Sequence, residues 1–442
     1  MIARLNTAKR VARPGHLQDI PEWDTVPTET HAHEVAILMR GKRHRLVMCI
    51  RHRVFGWLGV CLCVVSGYAC TQVNTPTAGR PGDPLPDLTP EQHERFAAGK
   101  ALFDREYTPQ DGLGPLFNQA RCSSCHDLPA LGGTGTETVV KATRFEDGSC
   151  DLLESEGGDN IQQRATQELA ALGISYETPP TSANRITDVT SPSLFGLGLI
   201  EAIPFDVIET RADPNDRDND GISGRTGATL NGARGRFGRK ADFSTIHDFV
   251  AAAFGAEMGL TTPQRLAEET PNGIALPDSV DLAADPEVSA GKLALVVDFI
   301  RFLVPGAPES PSDPATRDTL RRGEQLFLQT GCAGCHVPGM QTGRSGDPAF
   351  DQKTVALYSD LLLHDLGPES RGICGVGASD TEHRTARLMG VRHRVGWMHN
   401  GAGATLQAAI AMHGGEATGV RGRFQRLSFG DQQRLLRFVA SR

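Results

Sequence analysis

The sequence predicts a mainly α-helical protein of two similar domains, the first carrying a long loop-rich insertion, in a chain of 442 residues. Three observations predict it. A helical segment followed by a Cys-x-x-Cys-His motif occurs twice, with the motifs at residues 122–126 and 332–336. A Pro-rich stretch from Val304 to Pro314 separates the two copies. The composition, with 49 Gly, 27 Pro, 39% hydrophobic and 6% aromatic residues, fits helices joined by long loops in a chain with room for two or three cores.

Residues 1–38 contain Pro14, Pro21 and Pro27 with little apolar periodicity, and read as a spurious or disordered extension. From Met39, basic residues including Arg40, Lys42 and Arg43 precede the apolar run Val54 to Val65, which stops at Ser66-Gly67. A positive region followed by a short apolar one is the pattern of an export signal, here residues 39–70, with a single membrane anchor as the alternative. Both readings put the body outside the cytoplasm, and the expected compartment is the periplasm. Gly67-Tyr68-Ala69-Cys70 resembles a lipoprotein box but lacks the usual Leu three residues before the cysteine, so Cys70 is a candidate lipid anchor with plain cleavage as the alternative. Residues 71–88 are rich in Pro, Gly and Thr and read as a flexible linker. Folding is expected to begin at Thr89, where Thr-Pro-Glu-Gln92 forms a capping box with Pro at the first helical position.

Charge narrows the partners. Residues 1–70 hold ten Lys/Arg against five Asp/Glu, and the rest 35 against 48, so the body is acidic. Phosphate binding needs a basic stripe and none follows residue 70, which argues against nucleic acid and favours a basic redox partner.

Cys122-Ser-Ser-Cys125-His126 and Cys332-Ala-Gly-Cys335-His336 carry the chemistry. Two thiols at this spacing can add across the two vinyl groups of one porphyrin, and the adjacent His then reaches the iron from the same face. A zinc knuckle or redox dithiol is the alternative, but zinc sites usually gather four ligands close in sequence and these pairs are far apart. Two covalently bound haem c groups are expected, with His126 and His336 as proximal ligands. The predicted fold is thus two cytochrome c-like haem domains, residues 89–305 and 315–442, with 306–314 as the hinge. The insertion from Gly132 to Pro305 is expected to add small strands. The helices before the motifs share Gly, a two-residue spacer and Leu-Phe, at Gly99/Leu102/Phe103 and Gly323/Leu326/Phe327. Such an internal repeat points to two copies of one unit, each packing an apolar stripe on porphyrin or on a neighbouring helix.

With these motifs in place, the chain resembles the di-haem oxidoreductase family of peroxidase-type proteins, related to the bacterial di-haem cytochrome c peroxidases. The matching stretches include GLGPLFNQARCSSCH (112–126), SPSLFGLGLIEAIP (191–204), GRFGRKADF (235–243) and WMHNGAGATLQAAIAMHGGEA (397–417). The resemblance implies an oxidoreductase that takes electrons from a small soluble donor of cytochrome or cupredoxin type, passes them from the C-terminal to the N-terminal haem, and reduces hydrogen peroxide there. A non-catalytic electron carrier, or an oxidase of a protein or thiol partner, would share fold and cofactors.

Further ligands follow from local pattern. Thr405 to His413 reads as a helix opening on a Thr cap, with Leu406, Ala409, Ile410 and His413 on one face, which makes His413 the expected distal ligand of the C-terminal haem. Related peroxidases carry a Met ligand there and Met412 is adjacent, so either side chain could serve; a surface helix end is the alternative. His364 and His399 read as propionate or backbone partners. Glu201, in an apolar Gly-rich run, is the candidate pocket acid/base, since desolvation would raise its pKa. The alternative is a carboxylate that caps or pairs with an arginine such as Arg185. Asp216, Asp218 and Asp220, followed by Gly221, match the opening of a calcium loop, although position twelve is Gly227; an acidic turn is the alternative. The family commonly places Trp where Arg239 stands, which leaves Trp397 as the only tryptophan after the signal. Cys150 and Cys374 remain as a candidate disulfide between the two domains in an oxidising compartment, with geometry that sequence does not test.

Overall fold

The computed structural model of the chain describes residues 79–442. The export signal, Cys70 and the first part of the linker lie outside the described residues, which all fall in one compact unit. Seven helices position the site: α1 (Pro90–Phe103), α2 (Leu197–Glu201), α3 (Ile246–Met258), α4 (Ala290–Phe302), α5 (Pro314–Thr330), α6 (Leu406–Ala411) and α7 (Phe429–Val439).

The end of the expected linker is fixed, not free. Leu85 is 1% exposed, its N–H donates to Phe302 O at 2.7 Å, and Val304 N donates to Asp83 O at 3.0 Å. Burial of one leucine among proline and glycine is enough to dock residues 79–88 on the end of α4. Helix α1 then opens as the sequence predicts: Thr89 accepts from Gln92 N, Gln92 accepts from Thr89 N, and Pro90 fills the first position.

The repeated glycine now has a structural cause. A Cβ on Gly99 would stand 1.9 Å from Leu295 O of α4, and a Cβ on Gly323 would stand 2.2 Å from Arg434 O of α7. Each glycine therefore lets the helix before a Cys-x-x-Cys-His motif touch a partner helix backbone to backbone. The phenylalanine four residues on completes the crossing, with Phe103 4.9 Å from Phe299 and Phe327 5.5 Å from Phe438 between ring centroids.

Two cores result. The first gathers α1, α3 and α4 and also takes Met340, Phe350, Leu361 and Leu362 from beyond the Pro-rich stretch. The second joins Leu326, Phe327, Tyr358, Leu435 and Phe438. Residues of the expected hinge are tied to the carboxy terminus, since Glu309 pairs with Arg437 at 2.5 Å and Glu309 N donates to Ser441 O at 2.8 Å.

The insertion adds an antiparallel sheet in which β1 (Thr138–Glu146) pairs with β2 (Ser149–Asp151), β3 (Asn160–Ile161) and β4 (Arg185–Thr190). Strand β2 carries Cys150, which is disulfide-bonded to Cys374 with their Cα atoms 5.8 Å apart.

Candidate haem cavity

Both motifs open on one cavity of about 800 Å³, with Cys122, Cys125 and His126 in one part of its wall and Cys332, Cys335 and His336 in another. All four cysteines are free thiols. His126 has Nδ1 3.0 Å from Gly133 O, and His336 has Nδ1 3.0 Å from Tyr358 O. A carbonyl can only accept, so each Nδ1 carries the proton, and Nε2 is the nitrogen through which such an imidazole binds a metal.

His413 completes one site. Thr405 caps α6 by accepting from Ala408 N at 3.0 Å, and past the helix end His413 places Nδ1 2.7 Å from Ala409 O. Its ring centroid is 6.5 Å from that of His336. Two metal–nitrogen bonds of about 2 Å plus the two ring radii span about 6 Å, so one iron fits between them. Met412 is not among the lining residues. Burial, and then His413, push His336 down to about 4, and burial lowers His413, which keeps both imidazoles neutral. Beside His126 the neighbouring ring is that of Phe103, at 6.2 Å.

The wall of this cavity also holds Arg239, Lys240, Arg384, Arg387 and Arg394. Burial pushes Arg239 and Arg387 down to about 9 and Lys240 to about 8. Nε of Arg239, Nε of Arg387, Nε1 of Trp397 and Nε2 of His399 are buried without partners. Enclosed cations and orphaned N–H groups are costly unless an anion meets them. The carboxylates of haem propionates are such anions, and with the apolar walls, the four thiols and the imidazoles the residues present fit two haems.

The structure places Glu201 elsewhere. Its Oε2 is 2.9 Å from Arg301 Nε and its Oε1 accepts from Ile246 N, the first residue of α3, at 2.7 Å. It lines a smaller pocket with Arg301, Arg344 and Ser345 and not the large cavity. Arg185, the partner weighed from sequence, pairs with Asp380 instead, at 2.5 Å. Glu257 and Asp242 are among the carboxylates that do line the cavity, with Glu154, Asp159 and Asp248. Burial raises Glu257, whose charge is felt by both Cys122 and Cys125; its Oε2 accepts from Asn118 Nδ2 at 2.8 Å. The next residue, Met258, has Sδ 3.9 Å from Cys122 Sγ. Burial pushes Asp242 up to about 7, and its Oδ1 has no partner. The signal for Glu257 was in the sequence: it shares the apolar face of α3 with Val250, Phe254 and Met258, where a carboxylate is out of place.

His364 bridges two carboxylates, with Nε2 2.8 Å from Asp360 and Nδ1 2.8 Å from Glu416. Burial alone would lower it, but hydrogen bonds to Asp360, Cys335 and Glu416 raise it to about 12. Glu416 also accepts from Ser223 N and Ser223 Oγ, both at 2.9 Å. Ser223 follows the loop in which Asp216, Asp218 and Asp220 bring ligand oxygens within 4.8 Å of one another, closed by Gly221 N donating to Asp216 at 3.1 Å.

A sequence profile described as "Di-haem oxidoreductase, putative peroxidase" matches residues 184–442. Among solved structures the chain is similar to a hydrazine synthase chain from Kuenenia stuttgartiensis, at 15% identity over 84% of this chain and 99% of that one, with a TM-score of 0.36. It is similar also to a MauG-like protein associated with microbial copper homeostasis, at 14% identity over 85% and 95% of the two chains, with a TM-score of 0.36. A third is the diheme peroxidase BthA from Burkholderia thailandensis, at 14% identity over 84% and 92%, again with a TM-score of 0.36. No curated protein matches the chain at a significant level.

Proposed function

This chain belongs to the di-haem oxidoreductase family, and on that premise we propose that it is an exported enzyme with two covalently bound haem c groups that reduces hydrogen peroxide. The donor is a small soluble redox protein of cytochrome or cupredoxin type, and the enzyme works in the periplasm with Cys70 as a lipid anchor. When bound, the haems would supply the redox chemistry, with His336 holding the group that takes electrons from the donor and His126 the group at which peroxide is reduced.

The observation that supports this division is the difference between the two imidazoles. His336 is faced by a second imidazole, His413, and the two would hold one haem between them. The ring beside His126 is that of Phe103, which offers no lone pair to a metal. Cys122, Cys125, Cys332 and Cys335 are the attachment thiols. Arg239, Arg387, Trp397 and His399, whose unpartnered nitrogens lie in the same wall, would hold the propionates and so orient the rings.

Breaking the peroxide bond consumes two electrons and two protons and leaves two waters. Glu257 is the proton donor in this reading, because its carboxyl lies beside Cys122 and Cys125 and burial makes it keep its proton to higher pH than an ordinary carboxyl. Glu201, bound to Arg301 and to the start of α3, positions the helix that carries Glu257. Calcium at Asp216, Asp218 and Asp220 would fix the loop through Ser223 to Glu416.

Mixing the reduced protein with peroxide tests the proposal. Rapid reoxidation, with cyanide binding to one haem of the two, is expected. Two low-spin haems inert to both would make the protein an electron carrier instead.

A further inference from the structure

The long connection between α3 and α4, residues 259–289, contains only two short turns, Pro271–Gly273 and Asp278–Val280, and a connection of this length without regular structure needs something to hold it. Within it Glu268, Asp281, Asp285 and Glu287 bring carboxylate oxygens within 4.8 Å of one another. Glu287 is nine-tenths buried, at 9% exposed. Its Oε2 accepts from Thr261 N at 2.8 Å, while its Oε1 is buried with no partner. Both oxygens of Glu268 are likewise buried and unpartnered.

Among the described residues no basic side chain pairs with these four carboxylates. Arg265 pairs with Glu269 at 3.0 Å, and Lys292 donates to the main-chain oxygen of Glu287 at 3.2 Å, not to its carboxylate. Thr261 Oγ1 stands 2.6 Å from both Asp285 Oδ1 and Glu287 Oε2, so one hydroxyl proton faces two acceptors. A set of oxygen donors that is anionic, partly to largely buried except at Asp285, and short of protons suits a hard divalent cation with flexible geometry.

We propose that Glu268, Asp281, Asp285 and Glu287 form a calcium site that clamps the connection between α3 and α4, separate from the Asp216–Asp220 loop. Burial and the three neighbouring carboxylates push Glu268 up to about 9, the strain a bound cation relieves. Both helices wall the haem cavity, through Phe254 and Met258 of α3 and Val296 and Ile300 of α4, so the clamp holds the wall in place without touching the reactants.

The test uses the full haem-loaded chain carrying Asp218→Asn, which disables the other loop, stripped with EDTA and titrated with calcium chloride in a calorimeter. One calcium per chain is expected, with a rise in thermal midpoint, and Glu287→Gln should weaken binding at least tenfold. Should that variant lose its haem spectrum, Glu268→Gln is titrated in its place. Absence of calcium binding in the Asp218→Asn protein, or an unchanged isotherm in the glutamine variant that folds, overturns the proposal. The haem spectrum and peroxide rate, read in the same samples, report separately on the proposed function.

Discussion

The imidazole of His413 lies 6.5 Å from that of His336, centroid to centroid, and both rings have Nδ1 committed to a main-chain carbonyl. Two residues 77 positions apart in sequence thus lie at a spacing that one iron could bridge, as the proposed function requires.

His413→Ala should therefore convert one haem from low to high spin and let it bind cyanide, while leaving the other haem unchanged. His413→Met should keep the low-spin state and raise the reduction potential, because Met/His ligation favours the reduced iron. Spectra and redox titration decide; an unaltered spin state in the alanine variant would remove His413 as a ligand.

Glu257→Gln keeps the amide-sized side chain beside Asn118 but cannot release a proton. We expect a loss of about 10²–10⁴-fold in peroxide rate, the usual contribution of a positioned acid or base. The wild-type rate should fall as pH rises through the raised carboxyl value of Glu257, and this limb should vanish in the variant. Steady-state rates against pH check both points.

Glu201→Gln should act on stability instead. Arg301 would lose one of two carboxylates, keeping Asp298 at 3.0 Å, and α3 would lose an anionic partner at its first N–H, together costing about 1–3 kcal/mol. Denaturant melts should show the loss while the peroxide rate holds. A fall in rate without a fall in stability would return Glu201 to the role of pocket acid that the sequence suggested.

Glu416→Gln should reveal a pH-dependent contribution. Burial alone would raise Glu416, but hydrogen bonds from His364, Asp365 N and Ser223 N outweigh it and lower the folded value below 4.5. A carboxylate lowered on folding adds stability above its unfolded value and loses it as pH falls through the folded one. The difference in thermal midpoint between wild type and Glu416→Gln should be largest near pH 7 and shrink below about pH 4.5. A difference that stays constant with pH would mean that packing, not charge, links Glu416 to His364.

Gly99→Ala and Gly323→Ala should each destabilise by about 1–3 kcal/mol or more, since the new methyl would meet a main-chain oxygen. Chemical denaturation of the two variants measures this, and a neutral result would show that the helix pairs can part without cost.

What the sequence made legible was local. The two Cys-x-x-Cys-His motifs, the Thr89 and Thr405 caps and the repeated glycine are patterns within a few residues, and each follows from helix chemistry. The helix before His413 could be read because its Thr405 cap and apolar face lie within one short segment, with His413 just past its end. The cationic wall could not: Arg239, Arg387 and Arg394 come from separate loops, and no spacing links them before the chain folds. Glu201 shows the same limit from the other side. An apolar run marked it as enclosed, but its partner Arg301 lies 100 residues away, and only the folded chain decides whether a buried carboxylate is free or paired. Glu257 was within reach, since a carboxylate on an apolar helix face is itself a signal.

The Cys150–Cys374 bond joins points 224 residues apart, and Cys374 belongs to the same wall as the four motif thiols. Were the motif cysteines to carry porphyrin, as proposed, Cys150 and Cys374 would have to find each other and leave Cys122, Cys125, Cys332 and Cys335 unpaired, and the bond they form ties β2 to the cavity wall.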